Sequence, residues 1–231
     1  ASNADPNGTN SGQSYVVFGK RESFSASFEL SSLNGSNGFQ LNGVALQDSI
    51  SLLSSVGDIN GDGLDDLIIV ANSSGGSQQP NFTSYVVFGK ASGFGPFFSL
   101  SSLDGNNGFQ LINEISTNLG IGFLGRSAGD FNGDGFDDLI VDDYVVFGKA
   151  SGFSATVNLS SLDGRLGFRL VAQSNFLSAS SAGDINGDGF DDLIIEASDN
   201  NYIIFGKASG FGPQFVLGNL DGSDGFRFYR D

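Results

Sequence analysis

The chain has 231 residues, of which 26 are acidic, 10 are basic and none is histidine, so its formal net charge is −16. The absence of cysteine excludes disulfides, thiol chemistry and zinc–thiolate sites, and the absence of histidine removes the most common general base. The charge opposes binding to nucleic acid and to anionic membrane surfaces, whereas 39% hydrophobic residues predict a folded protein.

A strand motif and the segment that follows it recur four times along the chain. Tyr-Val-Val-Phe-Gly-Lys, with two isoleucines in the last copy, is β-branched and aromatic and ends at Gly-Lys, which predicts a strand followed by a turn. The segment after each copy alternates apolar and polar residues and predicts a half-exposed strand. The motif lies at residues 15–20, 85–90, 144–149 and 202–207, and the second strand at 39–41, 109–111, 168–170 and 226–228.

A third motif, rich in Asp and Gly, occurs three times and leads into a short aliphatic strand. A Ser/Leu/Phe stretch precedes each copy and predicts an innermost strand, and no segment has a helical period. Four short strands per repeat of 58–70 residues predict an all-β fold of β-propeller-type blades with four antiparallel strands each. The predicted innermost strands are residues 50–55, 121–127 and 176–181, and the aliphatic strands are 67–70, 139–141 and 193–195.

The repeats predict a single domain of three complete blades and an N-terminal half blade. Residues 45–114, 115–171 and 172–231 each supply four strands, whereas residues 1–44 supply only the third and the outer strand. A half blade leaves strand edges exposed, and such edges can pair with another chain. We therefore expect self-assembly, into a filament or a larger ring, through the unfinished blade edges.

The three Asp-rich loops share the spacing Asp-x-Asn-x-Asp-Gly-x-Asp-Asp. Oxygens at positions 1, 3 and 5 converge when a loop curls around a cation, glycine at position 6 permits the turn, and the position-7 carbonyl adds a ligand. The position-12 Glu of an EF-hand is absent and a strand follows, so the closing carboxylate is predicted at position 9. The predicted Ca²⁺ ligands are Asp58, Asn60, Asp62, Leu64 and Asp66; Asp130, Asn132, Asp134, Phe136 and Asp138; and Asp184, Asn186, Asp188, Phe190 and Asp192.

A simple hairpin turn is the alternative explanation of these loops, because Asn-Gly and Asp-Gly favour turns. A turn does not require four carboxylates within nine residues, which repel one another without a cation. The prediction is therefore three Ca²⁺ sites, with Mg²⁺ as the alternative ion. The position-8 acids Asp65, Asp137 and Asp191 are expected to face away from the ion or to bond to backbone.

The Phe-Gly that ends the third strand, together with the Gly-Asp-x-Asn-Gly-Asp-Gly-x-Asp-Asp-Leu-Ile loop, resembles the FG-GAP repeat. The resemblance covers nearly the whole chain and implies blades similar to those of the integrin α-subunit β-propeller, with Ca²⁺ held by positions 1, 3, 5 and 9 and the position-7 carbonyl. The Gly-Ala-Pro of that repeat is absent here. Family propellers usually have seven blades, so the chain could also be an excerpt of a longer propeller.

We expect an extracellular, calcium-stabilised structural or adhesion module whose partners are other protein chains, including copies of itself. The chain begins at Ala1 and carries no signal peptide, which fits a mature secreted or cell-surface protein. No apolar run approaches the roughly 18 residues of a membrane span, and no membrane insertion is expected.

Catalysis is not expected, because the close acidic pairs lie in the Asp-rich loops, apart from Asp142 and Asp143 between two strands. The remaining alternative is a calcium-dependent, lectin-like propeller that binds glycans. Its candidate contact residues are those that interrupt the repeats: Arg126, Arg165, Arg227, Tyr229 and Arg230.

Overall fold

A computed structural model describes residues 11–44, 48–73, 81–113, 125–198 and 200–229 of the protein. The described residues form short strands and four single-turn 3-10 helices, and none of these helices is long and apolar enough to cross a membrane. The strands are β1 (Gln13–Val17), β2 (Gly38–Asn42), β3 (Asp48–Gly57), β4 (Asp66–Ser73), β5 (Asn81–Val87), β6 (Phe97–Ser99), β7 (Gly108–Ile112), β8 (Gly125–Gly129), β9 (Asp138–Val141), β10 (Tyr144–Val146), β11 (Thr156–Asn158), β12 (Gly167–Val171), β13 (Phe176–Gly183), β14 (Asp192–Ala197), β15 (Asn201–Ile204), β16 (Gln214–Val216) and β17 (Gly225–Phe228). The helices are Leu30–Ser32, Leu100–Ser102, Leu159–Ser161 and Leu217–Asn219.

The strands form four sheets that follow one another along the chain. The first has the order β1-β2-β6, the second β11-β7-β5-β4-β3, the third β16-β12-β10-β9-β8 and the fourth β13-β14-β15-β17. Four consecutive repeat strands pair antiparallel in each of the last three sheets, and two do so in the first. The predicted all-β fold, with three four-stranded blades and an N-terminal half blade, is confirmed.

An additional parallel strand at the outer edge of three sheets was not predicted; it is the third strand of the first sheet and the fifth strand of the second and third sheets. β6, β11 and β16 pair with β2, β7 and β12, the outer strands of the preceding repeats. Each is only three residues long, and its partner lies in another repeat, so no local pattern marks it as a strand. Each of these added strands, β6, β11 and β16, links its own repeat to the sheet of the preceding repeat.

The hydrophobic core lies in layers between successive sheets. In the third sheet, Leu139 and Val141 pack with residues of the second sheet, whereas Ile140 and Val145 pack with residues of the fourth. Strands buried on both faces are continuously apolar, which explains the unbroken aliphatic runs in the second and third sheets; the equivalent strand of the fourth sheet exposes Ile194. Among the innermost strands, β8 contacts both β3 and β13 across the sheets.

The third strand of each repeat is shorter than its motif. β1 ends at Val17 and β5 at Val87, so the Phe-Gly-Lys that follows lies outside the strand. In the second sheet, the N–H of Gly89 donates to the side-chain carboxylate of Asp66, the first residue of the neighbouring strand β4. Of the predicted innermost strand at residues 121–127, the first four residues lie outside the described part of the chain.

Candidate metal centre

Each Asp-rich loop joins the innermost strand of a sheet to the second strand. The first loop runs from the end of β3 at Gly57 to the start of β4 at Asp66, and the others join β8 to β9 and β13 to β14 in the same way. The position-6 glycine Gly63 has φ +83°, a left-handed conformation that glycine adopts without steric cost. The loops are therefore equivalent structures at one end of three neighbouring sheets.

Side chains at positions 1, 3 and 5 turn into the first loop and accept backbone hydrogen bonds there. The Asp58 carboxylate accepts from the N–H groups of Asp62, at 3.0 Å, and Gly63, at 2.8 Å. The Asn60 Oδ1 also accepts from the Asp62 N–H, and an Asp62 carboxylate oxygen accepts from the Leu64 N–H at 2.9 Å. The second and third loops repeat these bonds. The predicted side-chain ligands thus share one inward orientation in all three loops.

The position-9 acids Asp66, Asp138 and Asp192 are completely buried. One oxygen of Asp66 accepts from the N–H of Ile59 in the loop at 3.0 Å, and the other from Gly89 after the third strand at 2.8 Å. Asp192 accepts the equivalent pair of bonds, and Asp138 differs only in that its loop donor is the N–H of Asn132, at position 3 and not position 2. Each acid therefore ties its loop to the Phe-Gly turn of the same blade, which explains why such a turn accompanies each of the three loops.

Burial raises the pKa of Asp66 to about 7, and the neighbouring charges of Asp62 and Asp58 add to the effect while backbone N–H bonds oppose it. Burial likewise raises the pKa of Asp138 to about 8. By contrast, backbone hydrogen bonds, first that of Gly189, lower the pKa of the exposed Asp184. A buried carboxylate beside two other acids is thus electrostatically unfavourable when no cation compensates it.

The position-8 acids of the later loops contact the preceding loop. The Asp137 carboxylate accepts from the Asp58 N–H at 2.8 Å, and the Asp191 carboxylate accepts from the Asp130 N–H at 2.9 Å. The backbone N–H groups of Asp137 and Asp191 donate to the carbonyls of Asp58 and Asp130 in return. These acids bond to backbone, one of the two arrangements expected from the sequence, and in doing so they connect neighbouring blades. For Asp65 in the first loop, the described residues contain no preceding loop.

The position-7 side chains also cross to the preceding loop. A Cβ built on Gly61 would overlap the ring of Phe136, and one built on Gly133 would overlap the ring of Phe190. Glycine at position 4 therefore makes room for the next loop as well as for the turn. The sequence shows glycine at position 4 in all three loops and Phe at position 7 in the last two. It does not show that the Phe of one loop packs on the glycine of the preceding loop.

The donor set suits a hard cation, since each loop offers side-chain oxygens at positions 1, 3, 5 and 9 and a carbonyl at position 7. Among the described residues, no group of three or more acidic side chains stands close enough to hold a metal ion. In the loops as described, the carboxylates accept backbone N–H bonds. Each carboxylate oxygen has a second lone-pair site, so these bonds and an ion are chemically compatible.

The residues considered for glycan binding lie on separate elements. Arg126 is on β8, Arg165 is in the exposed turn before β12, and Arg227 on β17 lies 5.5 Å from the centre of the Tyr229 ring. Arg230 is outside the described residues.

The Asp142-Asp143 pair lies at the turn between β9 and β10. Asp143 accepts a 2.8 Å hydrogen bond from the side chain of Arg169 on β12, a pairing that the sequence did not reveal.

The family model of the FG-GAP repeat matches residues 54–87 and 176–209. Each match begins in an innermost strand and contains the Asp-rich loop, the second strand and the third strand of the second or the fourth sheet. The prediction of FG-GAP repeats is confirmed at these two positions. A search of curated proteins gives no match to the chain.

Proposed function

We propose that this chain is a calcium-stabilised structural or adhesion module of the extracellular space that associates with copies of itself. FG-GAP repeats are typical of integrin-type cell-surface domains, and two such repeats occur here. The observation that carries the proposal is the completely buried carboxylate at position 9 of each loop, on Asp66, Asp138 and Asp192. A cation in the loop would compensate this buried charge, and the ion's role would be structural, not catalytic.

Contacts between loops support a stabilising role for the ion. Asp58 would bind the ion through its side chain, while its backbone N–H and carbonyl bond to Asp137 of the next blade. Asp130 occupies the same position between the third and fourth sheets. Ordering of one loop by an ion therefore also orders the contact between two blades. We expect weak extracellular-type sites, with Kd on the order of 10⁻⁴–10⁻³ M.

Calorimetric titration with Ca²⁺ tests the proposal. We expect three sites in the wild-type chain and two in Asp62→Ala, because the exposed position-5 carboxylate is a ligand. Asp65→Ala is the matched control: it removes the same charge from the same exposed loop, but from position 8, and should keep three sites. Absence of Ca²⁺ binding by the wild type, or equal loss in both variants, would contradict the ligand assignment.

Thermal unfolding gives an independent measure. Each site should add RT ln(1 + [Ca²⁺]/Kd) to the free energy of unfolding, which is about 1.4–2.7 kcal/mol at a free Ca²⁺ concentration of 10–100 times Kd. A chelator should reverse the gain, and equimolar Mg²⁺ should give a smaller one. If Mg²⁺ stabilised the chain to the same extent as Ca²⁺, the assignment of Ca²⁺ would be wrong.

A further inference from the structure

We propose that the N-terminal half blade of one chain docks on the last blade of a second copy and adds residues 27–29 as a parallel strand to β17. This inference rests on the proposed self-association and specifies its geometry. Within one chain, β6, β11 and β16 make this contact with the preceding blade. Among the described residues, neither β17 nor the segment 27–29 has such a partner.

The donor face consists of Val17, Phe24, Phe28 and Leu30, all exposed. Leu30 is 43% exposed, whereas its counterparts in the later repeats are at most 2% exposed. Lys20 lies over the Phe24 ring at 5.0 Å, as each later motif lysine lies over its own Phe at 4.5–5.2 Å. The segment is therefore folded like its counterparts, but its apolar face is uncovered. The counterparts of Leu30 are Leu100, Leu159 and Leu217.

The acceptor face consists of Phe226 and Phe228 on β17. Phe226 is 44% exposed, whereas its counterparts in the three preceding sheets are at most 1% exposed. Those counterparts each stack on a Phe of the next repeat, with ring centroids 4.0–4.8 Å apart. Phe226 lacks this cover in the described part of the chain, and Phe24 of a second copy is the residue that would supply it. The stacked pairs are Phe39–Phe94, Phe109–Phe153 and Phe168–Phe211.

Among the described residues, the turn glycine before β17, Gly222, also lacks the contact with a following repeat that its counterparts make. In the three preceding repeats, a Cβ on the turn glycine would overlap the carbonyl oxygen of the incoming Phe, as on Gly164 with Phe211. Gly222 has the same backbone conformation, φ +100° against +93° at Gly164, but has no atom within 4 Å of a Cβ built on it. The turn is thus shaped for an incoming chain that the described residues do not provide.

The internal contacts fix the register of the proposed pairing. In each internal contact, a Leu of the outer strand lies opposite the middle residue of the added strand. The pairs are Leu41–Phe98, Leu111–Val157 and Leu170–Phe215. The corresponding residues at the open ends are Phe228 and Phe28. Parallel addition therefore places Ser27 beside Arg227 and Phe28 beside Phe228. Because donor and acceptor lie on different blades, the contact is head-to-tail, and it repeats until a ring closes or a filament grows.

Sedimentation velocity of the full chain over a range of concentrations tests this interface. We expect the wild type to form species heavier than one chain, and Phe28→Asp and Phe228→Asp to weaken association by about tenfold or more, since each buries a carboxylate in the contact. Both positions are exposed in the single chain, and circular dichroism checks that the variants remain folded. A wild type that stays monomeric at all concentrations would overturn the proposal.

A matched control lies on the same face of the last sheet. Ile194 is 40% exposed, close to the 36% of Phe228, but it lies on β14, which β15 separates from the acceptor strand β17. Ile194→Asp should therefore associate like the wild type. Association that Ile194→Asp abolishes and Phe228→Asp does not would place the interface elsewhere and refute strand addition.

Mixing the two disruptive variants tests the head-to-tail geometry directly. Phe28→Asp keeps an intact acceptor and Phe228→Asp keeps an intact donor, so the mixture should form a one-to-one dimer and nothing larger. No dimer in the mixture would refute the geometry. The chain has no cysteine, so Ser27→Cys and Arg227→Cys chains should also be joined by a short bis-maleimide. Phe97→Cys, the exposed counterpart of Ser27 in β6, which already pairs with β2 in its own chain, should not react with Arg227→Cys.

The calcium proposal and the strand proposal can fail separately. A wild-type chain that binds three Ca²⁺ but remains monomeric would refute strand addition and leave the calcium module intact. If the mixture formed the dimer although calorimetry detected no Ca²⁺ binding, the calcium sites would be refuted and strand addition would be supported.

Discussion

Two glycines at equivalent turns allow the contribution of one inter-blade contact to be measured. Gly164 and Gly222 both have φ near +95°, at +93° and +100°. A Cβ on Gly164 would overlap the carbonyl oxygen of Phe211, whereas one on Gly222 would meet no atom within 4 Å. Alanine at either position adds the same backbone strain, and only Gly164→Ala also displaces the segment from the next repeat.

The expected cost follows from the contacts that move. Backbone strain at a left-handed position costs about 1–3 kcal/mol and applies to both variants. Displacing Phe211 also weakens its stacking on Phe168, worth about 0.5–1.5 kcal/mol. The 3.0 Å hydrogen bond from the Arg169 N–H to the Pro213 carbonyl adds about 0.5–1.5 kcal/mol. Gly164→Ala should therefore lower the free energy of unfolding by about 1–3 kcal/mol more than Gly222→Ala.

Urea unfolding, followed by far-ultraviolet circular dichroism in dilute, calcium-containing solution, measures this difference. With a slope of about 3 kcal/mol per molar urea, the midpoint of Gly164→Ala should lie about 0.3–1 M below that of Gly222→Ala. Equal midpoints would show that backbone strain alone sets the cost, and the reasoning about the overlap with Phe211 would be wrong. In concentrated solution, Gly222→Ala should also weaken self-association.

Three further predictions concern other contacts. Burial, and secondarily the charge of Asp143, raises the pKa of Asp142 to about 8. Between about pH 4 and 8, the folded chain therefore keeps a proton on Asp142 that the unfolded chain releases. The free energy of unfolding should fall as the pH rises through this range. Asp142→Asn should raise the urea midpoint above about pH 8 but not at about pH 4, and an increase of equal size at both would contradict this. Arg169→Gln should cost about 1–3 kcal/mol because it leaves Asp143 without its charged partner, and a double-mutant cycle with Asp143→Asn should recover part of it; strict additivity would rule out the pairing. Phe153→Ala, which empties a buried site, should cost about 2–4 kcal/mol, and Phe24→Ala, its exposed counterpart, less than about 0.5 kcal/mol in the monomer; similar costs would refute the difference in packing.

The repeats made most of the strand order predictable. Tyr-Val-Val-Phe and the aliphatic runs predict strands from local composition, because in the second and third sheets both faces of those strands are buried between sheets and no polar alternation interrupts them. The loop spacing likewise identified the inward side chains, since positions 1, 3 and 5 bond within their own loop. Both features depend on residues close together in the chain.

The role of the position-9 acid was only partly visible in the sequence. Its place in the loop suggested a ligand, but its hydrogen bond to the Phe-Gly turn joins Asp66 to Gly89 across the sheet. Likewise, nothing near Asp137 indicates that its partner is the Asp58 N–H in the preceding blade. These contacts depend on which strands and sheets become neighbours.

The sequence by itself determined the repeat, the blade type and the three acidic loops, because each is encoded within one repeat by turn glycines and by apolar strands. Only the tertiary structure decided how the repeats connect. Four segments of equal length follow the strand motif, each with Phe at its fourth residue and Leu at its tenth, yet three pack against a preceding outer strand while residues 27–29 do not. Leu100 is buried and Leu30 is exposed although they occupy the same position in their repeats, because another blade lies beside Leu100 and the described residues place none beside Leu30.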